Sequence, residues 1–151
     1  MEVPDTLGII AGNGVYPRLL AENARRAGVQ RIVAAAFTDE TDERLAAMVD
    51  EIDWMRVGQL AKLIAAFRSA GVANAIMAGQ IAPKNLFDLR PDWKTLLLLA
   101  RLKRRNAESI FAAIGDELAA AGITLLPATT FLEDYVAPNG LIAGRKLTRR
   151  E

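Results

Sequence analysis

A chain of 151 residues, just over half of them apolar and a quarter charged, has the size and composition of one folded domain with its own core. A formal net charge of +1 gives no overall bias toward nucleic acid, and no apolar run reaches the ~18–20 residues that a membrane span requires. With no Cys and no His the chain has no disulfide, no Cys nucleophile, no His-based triad and no zinc site built on those ligands, so a metal would need oxygen donors.

The start, Met1-Glu2-Val3-Pro4-Asp5, is acidic and broken by Pro, unlike a signal peptide, and a cytoplasmic location is expected. The apolar run Leu7–Ala11 reads as a first strand, breaking into Gly12-Asn13-Gly14 and then into an amphipathic helix carrying Leu19, Leu20, Ala24 and Ala27. Further strands are expected at Ile32–Ala36, Ile52–Val57, Ala75–Ala78 and Ile123–Leu126. They are short, mostly uncharged and apolar rather than alternating, as in strands covered on both faces. Leu60, Leu63, Ile64 and Phe67 form a second helical stripe. Pro91 suits the first turn of a third helix running through Trp93 and Leu96–Leu99 to Leu102, and Ile110, Phe111, Ile114 and Leu118 mark a fourth. Three helices end alike, at Ala27-Gly28-Val29, Ala70-Gly71-Val72 and Ala121-Gly122-Ile123, where a left-handed Gly closes the helix and a β-branched residue opens the next extended run. Pro138-Asn139-Gly140 predicts a turn before a basic tail with Arg145, Lys146, Arg149 and Arg150. Alternating strands and helices imply a three-layer α/β domain with a doubly wound, mostly parallel sheet.

In such a sheet, ligands bind beyond the carboxyl ends of the strands. A strand feeding a glycine turn that opens a helix gathers backbone N–H groups at one point, so Gly12, Asn13 and Gly14 are candidates to hold a phosphate. The dinucleotide fingerprint is incomplete: Pro17 stands where its third glycine belongs, and Asp39 comes two residues after Phe37 rather than at the strand end. A glycine turn serving geometry alone is the simpler alternative. After the fourth strand, Gly79 would let a ligand approach the backbone and Gln80 offers a donor and an acceptor, though on residue type alone a plain turn comes ahead of a site. Lys84 adds a cation within reach of a phosphate. The run Arg101–Glu108 crowds four cations, Arg105 among them, before Asn106, which is a good N-cap. Those cations suit a diphosphate or a lipid head group, or simply complement a helix dipole; without interleaved aromatics they do not suit nucleic acid. Asp39, Glu40, Asp42 and Glu43 could contribute to a divalent-ion site, but Asp42 and Glu43 also suit a helix start. No nucleophile or general base stands out.

Read in order, LGIIAGNGVYP, VGQLAKLIAAFRSAG, AGQIAPKNLFDLRPD, RRNAESIFAAIGDELAAAGI and APNGLI resemble the LpxI type of UDP-2,3-diacylglucosamine pyrophosphatase over essentially the whole chain. The resemblance implies a Rossmann-like N-terminal, substrate-binding domain, here residues 1–144, with 145–151 a basic tail or the start of a linker to a catalytic domain. It implies hydrolysis of UDP-2,3-diacylglucosamine to UMP and lipid X in lipid A biosynthesis, with Mg²⁺ and with the substrate between two domains. Gly12, Asn13, Gly14, Gly79 and Gln80 would face that substrate. The family often carries acids where the late helix starts; here Asn106, Ala107 and Glu108 stand there, and only Glu108 is acidic. The family's metal-linked catalytic aspartate belongs to the second domain and has no match in these residues, so no catalytic residue is assigned and the chain alone is expected to be inactive. A lipid substrate also implies passing contact with the inner-membrane surface. Two alternatives stand beside this one: a nucleotide-binding or regulatory module without catalysis, and a homo-oligomerising domain built on Leu96–Leu99.

Overall fold

The computed structural model describes residues 3–80, 91–103, 106–132, 141–142 and 145–146. The elements follow in order: β1 (Thr6–Ala11), α1 (Tyr16–Ala27), β2 (Arg31–Phe37), a 3-10 turn (Glu43–Ala47), β3 (Glu51–Met55), α2 (Leu60–Ser69), β4 (Asn74–Ala78), α3 (Trp93–Arg101), α4 (Ala107–Ala120) and β5 (Thr124–Leu125). Five strands make one sheet in the order β3-β2-β1-β4-β5, every pairing parallel. A short antiparallel pair, β6 (Leu141–Ile142) with β7 (Arg145–Lys146), stands apart from it and takes up the start of the basic tail. The turn expected at Pro138-Asn139-Gly140, together with Arg149 and Arg150, lies outside the described residues.

Helices cover both faces, which is why the strands read as unbroken apolar runs. Leu7, Ile9 and Ala11 of β1, with Ile32 and Ala34 of β2, meet Leu20 and Ala24 of α1 and Leu45 of the 3-10 turn. Ile10, Val33 and Ala35 point the other way, into Leu63, Ile64 and Phe67 of α2, Leu98 of α3 and Leu118 of α4. The edge strands are less covered: β3 alternates between exposed and half-covered positions as far as the buried Met55, and in β5 Thr124 is exposed and Leu125 half-covered.

Each expected strand is present, with shifts at the ends. β3 stops at Met55 rather than Val57 because the Arg56 N–H donates to Oε1 of Gln59 (2.6 Å) and leaves the ladder. β5 begins at Thr124 because the Ile123 N–H still closes α4 by donating to the Leu118 carbonyl (2.8 Å). The three Ala-Gly helix ends are as expected, with Gly28, Gly71 and Gly122 all at positive φ. Asp42 does start a helical segment, a single 3-10 turn that it caps by accepting from the Arg44 N–H (2.9 Å).

Pro91 is not in the first turn of α3. Asp92 is the N-cap, and Pro91 stands one residue outside it. The Asp92 carboxylate serves two helices, since Oδ1 accepts from the Thr95 N–H of α3 (3.0 Å) and Oδ2 from the Ala61 N–H in the first turn of α2 (2.8 Å). The fourth stripe is corrected at Phe111, which is half exposed; of that stripe only Leu118 is fully buried, where α4 approaches the sheet.

Candidate functional site: the crevice between the β1 and β4 loops

Strand order reverses at β1. The chain winds outward through β2 and β3, and α2 then carries it back to β4 on the other side of β1. The carboxyl ends of β1 and β4 flank this switch point, the position at which open α/β sheets take ligands.

Here the two expected loops meet. The Gly12 N–H donates to the Ala78 carbonyl (2.7 Å) and the Asn13 N–H to that of Gln80 (2.7 Å), while the Gln80 N–H returns a bond to Asn13 (3.3 Å). Two parallel strands are thus extended by one antiparallel bridge, Asn13 to Gln80. Glycine makes the approach feasible: a Cβ on Gly12 would lie 2.5 Å from the Gln80 oxygen, and one on Gly79 2.5 Å from that of Asn13. The backbone that Gly79 admits is therefore that of the glycine loop. Gly14 differs, because its φ of +92° demands glycine although a Cβ there would meet nothing within 4 Å. The chain turns at Gly14 with one side open.

From that turn α1 starts without a side-chain cap. Val15 occupies the N-cap, the first turn holds no acid, and Pro17 is buried beneath it. First-turn N–H groups have no partner within a helix, so an anion on the open side of Gly14 would meet them and the positive end of the dipole. Arg18, also in that turn, brings a guanidinium; its Nε is buried without a hydrogen bond and lies 3.5 Å from Oδ2 of Asp42. Asp42 is claimed by Arg44, whose side-chain and backbone hydrogen bonds, with help from Arg18, hold its carboxyl down to about 2.

The loop after β2 fastens the glycine loop from the other side. Nδ2 of Asn13 donates to Oε2 of the buried Glu40 (2.7 Å), and Oγ1 of Thr41 donates to the Ala11 carbonyl while accepting from the Phe37 N–H. Sequence reasoning placed Glu40 in an acidic cluster and passed over Thr41, since neither role exists until β2 pairs with β1. Beside them an open cleft of about 460 Å³ is lined by Thr38, Asp39, Thr41, Glu43, Ala46 and Trp54. Trp54 enters it only through the β2–β3 register, opposite Ala36.

Of the expected site residues, Gly12, Asn13, Gly14, Gly79 and Gln80 are brought together. Asn106 stands instead at the N-cap of α4, its Oδ1 accepting from the Ser109 N–H (2.8 Å). Lys84 and Arg105 lie outside the described residues. The acidic cluster does not gather around a common point: Glu40 turns to Asn13 and Asp42 to Arg44. Among the described residues, no three acids are placed to hold a metal ion. The arrangement can position and neutralise an anion.

The family model of the LpxI N-terminal domain matches residues 6–135, from the first residue of β1 past the end of the five-stranded sheet. The chain belongs to the LpxI N-terminal domain family. That family is associated with the processing of lipid A precursors. No curated protein matches the chain. Beside Gly14 the start of α1 carries no side-chain cap, while Glu40 and Asp42 are engaged by Asn13 and Arg44.

Proposed function

We propose that this LpxI-type domain binds UDP-2,3-diacylglucosamine for hydrolysis of its diphosphate to UMP and lipid X. One observation carries the reading: the uncapped start of α1 follows directly on Gly14, beside which there is open space, in a loop pinned by β4 on one side and β2 on the other. A diphosphate there accepts N–H groups that are already aimed, and positioning with charge neutralisation is the main protein contribution in phosphoryl chemistry. Magnesium would act by neutralising the developing charge on the diphosphate. In this reading the metal and the hydrolytic carboxylate are supplied by groups other than the described residues, among which no three acids are placed to hold a metal ion.

The acyl chains have a candidate surface. Trp93, Leu96 and Leu97 are exposed on one face of α3, with Lys94 and Arg101 flanking them. Thr95 and Asp92 tie the start of α3 to Gly58, just after β3, on the ligand side of the sheet. No helix among the described residues is long and apolar enough to cross a membrane, so contact with the inner-membrane surface would be peripheral.

Calorimetric titration with UDP tests the reading. The expected result is binding that Gly14→Val weakens roughly tenfold or more, about 1.4 kcal/mol, with the circular dichroism spectrum unchanged. Unaltered affinity in that variant would refute the loop's role. A nucleotide-binding module without catalysis is the second reading, favoured by the engagement of Glu40 with Asn13 and of Asp42 with Arg44. UDP binding would be retained under it, and a longer gene product carrying this domain would release no UMP from UDP-2,3-diacylglucosamine.

A further inference from the structure

The cleft at the ends of β2 and β3 is set beside the glycine loop and shares a wall with it. Thr41 lines the cleft and also holds the Ala11 carbonyl, and Glu40, next in the chain, holds Asn13. Neighbouring strands stand about 5 Å apart, so this cleft begins one strand away from the loop and ends about 10 Å away, a span comparable to that from a diphosphate to the far side of its nucleoside. Its volume of about 460 Å³ lies within the usual range for small-molecule sites.

The lining selects a chemistry. Asp42 is clamped by Arg44, and Glu40 by Asn13, but Asp39 and Glu43 are exposed and have no ion-pair or side-chain hydrogen-bond partner among the described residues. Asp39 sits at a φ of +66°, a left-handed turn that Asp tolerates, stabilised where the Glu40 and Thr41 N–H groups both donate to the Phe37 carbonyl. Two carboxylates repel a second phosphate. They accept hydrogen bonds from vicinal hydroxyls, and the half-buried Trp54 beside them offers a flat face on which a base can stack.

The geometry points to this cleft as the nucleoside subsite: Asp39 and Glu43 accept from the ribose hydroxyls, and Trp54 packs against the base of a nucleotide whose diphosphate lies at Gly14. The inference rests on the diphosphate reading above and adds the residues that recognise the nucleoside. It places the phosphates and the ribose on two separate walls, one electropositive and one acidic, joined by Thr41.

The test uses a Trp93→Phe background, which leaves Trp54 as the one tryptophan of a chain that has two. UDP should quench its fluorescence on binding, and inorganic pyrophosphate should bind by calorimetry with little change in that signal. Asp39→Asn, which keeps a residue suited to the left-handed turn, and Trp54→Ala should each weaken UDP about tenfold while leaving pyrophosphate affinity unchanged. UDP binding that neither variant alters would overturn the nucleoside cleft and leave the diphosphate reading standing. Failure of both UDP and pyrophosphate to bind would overturn the two together.

Discussion

At Gly12 and Gly79, steric space decides the residue. Each faces backbone of the opposite loop, which cannot swing aside as a side-chain tip can. Gly79→Ala adds strain at a φ of +91° to that collision and should cost about 1–3 kcal/mol, read from the urea midpoint. Gly14→Ala meets only the backbone penalty, because the space beside it is open, and should cost less. Titration gives a second expectation at this scale. Asp42 is lowered from 3.8 to about 2 chiefly by hydrogen bonds from Arg44, and Asp50 is lowered chiefly by the Ile32 N–H, with Arg25 assisting. A carboxylate with a depressed folded-state value contributes its stability above its unfolded value and loses it as pH falls through the folded one. Urea midpoints should therefore drop between 3.8 and about 2. In Asp42→Asn the drop should be shallower, and a drop as steep as in the parent chain would refute the assignment.

Among the elements, α2 and α3 are joined at their starts by Asp92 and by Thr95, whose hydroxyl accepts from the Leu60 N–H (3.1 Å). Asp92 caps α3 and also takes the Ala61 N–H, while Gln59, at the N-cap of α2, gives its side-chain oxygen to the Arg56 N–H and none to the helix. Asp92→Ala should destabilise by about 1–2 kcal/mol and speed hydrogen exchange at both the Ala61 and Thr95 amides. Faster exchange at Thr95 alone would mean that α2 does not rely on it. The apolar residues of α3 divide sharply, since Leu98 is buried against the α2 side of the core while Leu96 is exposed. Leu98→Ala should cost about 2–5 kcal/mol, whereas Leu96→Ala should fall within about 0.5 kcal/mol of the parent. Strands and Ala-Gly helix ends were legible in the sequence because they are set by local patterning and by a left-handed glycine. Pro91 and Phe111 were misread because a cap and a burial depend on what the helix meets. Leu96–Leu99 is one apolar run to the eye, and only packing separates its buried member from its exposed ones.

For the molecule as a whole, the central position of β1 governs stability. It pairs along its length with β2, and with β4 from Gly8 to Ala11, while β3 and β5 lie at the edges. Amides that donate in the β1–β2 and β1–β4 ladders should exchange slowest, at rates set by global unfolding, and those of β5 fastest within the sheet. Equal protection in β5 and β1 would contradict that ranking. The same arrangement builds the site, because the carboxyl ends of β1 and β4 are adjacent where the winding reverses.

The residues by themselves determined the α/β class, the positions of the strands to within about two residues, the family, and the two glycine loops, since each is written in a contiguous stretch. Without Cys or His they also fixed the narrow range of chemistry that is open. Only the tertiary structure decided that Gly12 and Gly79 make room for each other, that Glu40 and Thr41 brace the glycine loop, and that Trp54 shares a cleft with Asp39. Those contacts join residues 15 to 67 positions apart along the chain, and they come into being only when strands distant in sequence are paired in register. A linear pattern records which faces are apolar; which loops then stand side by side follows from the order of the sheet.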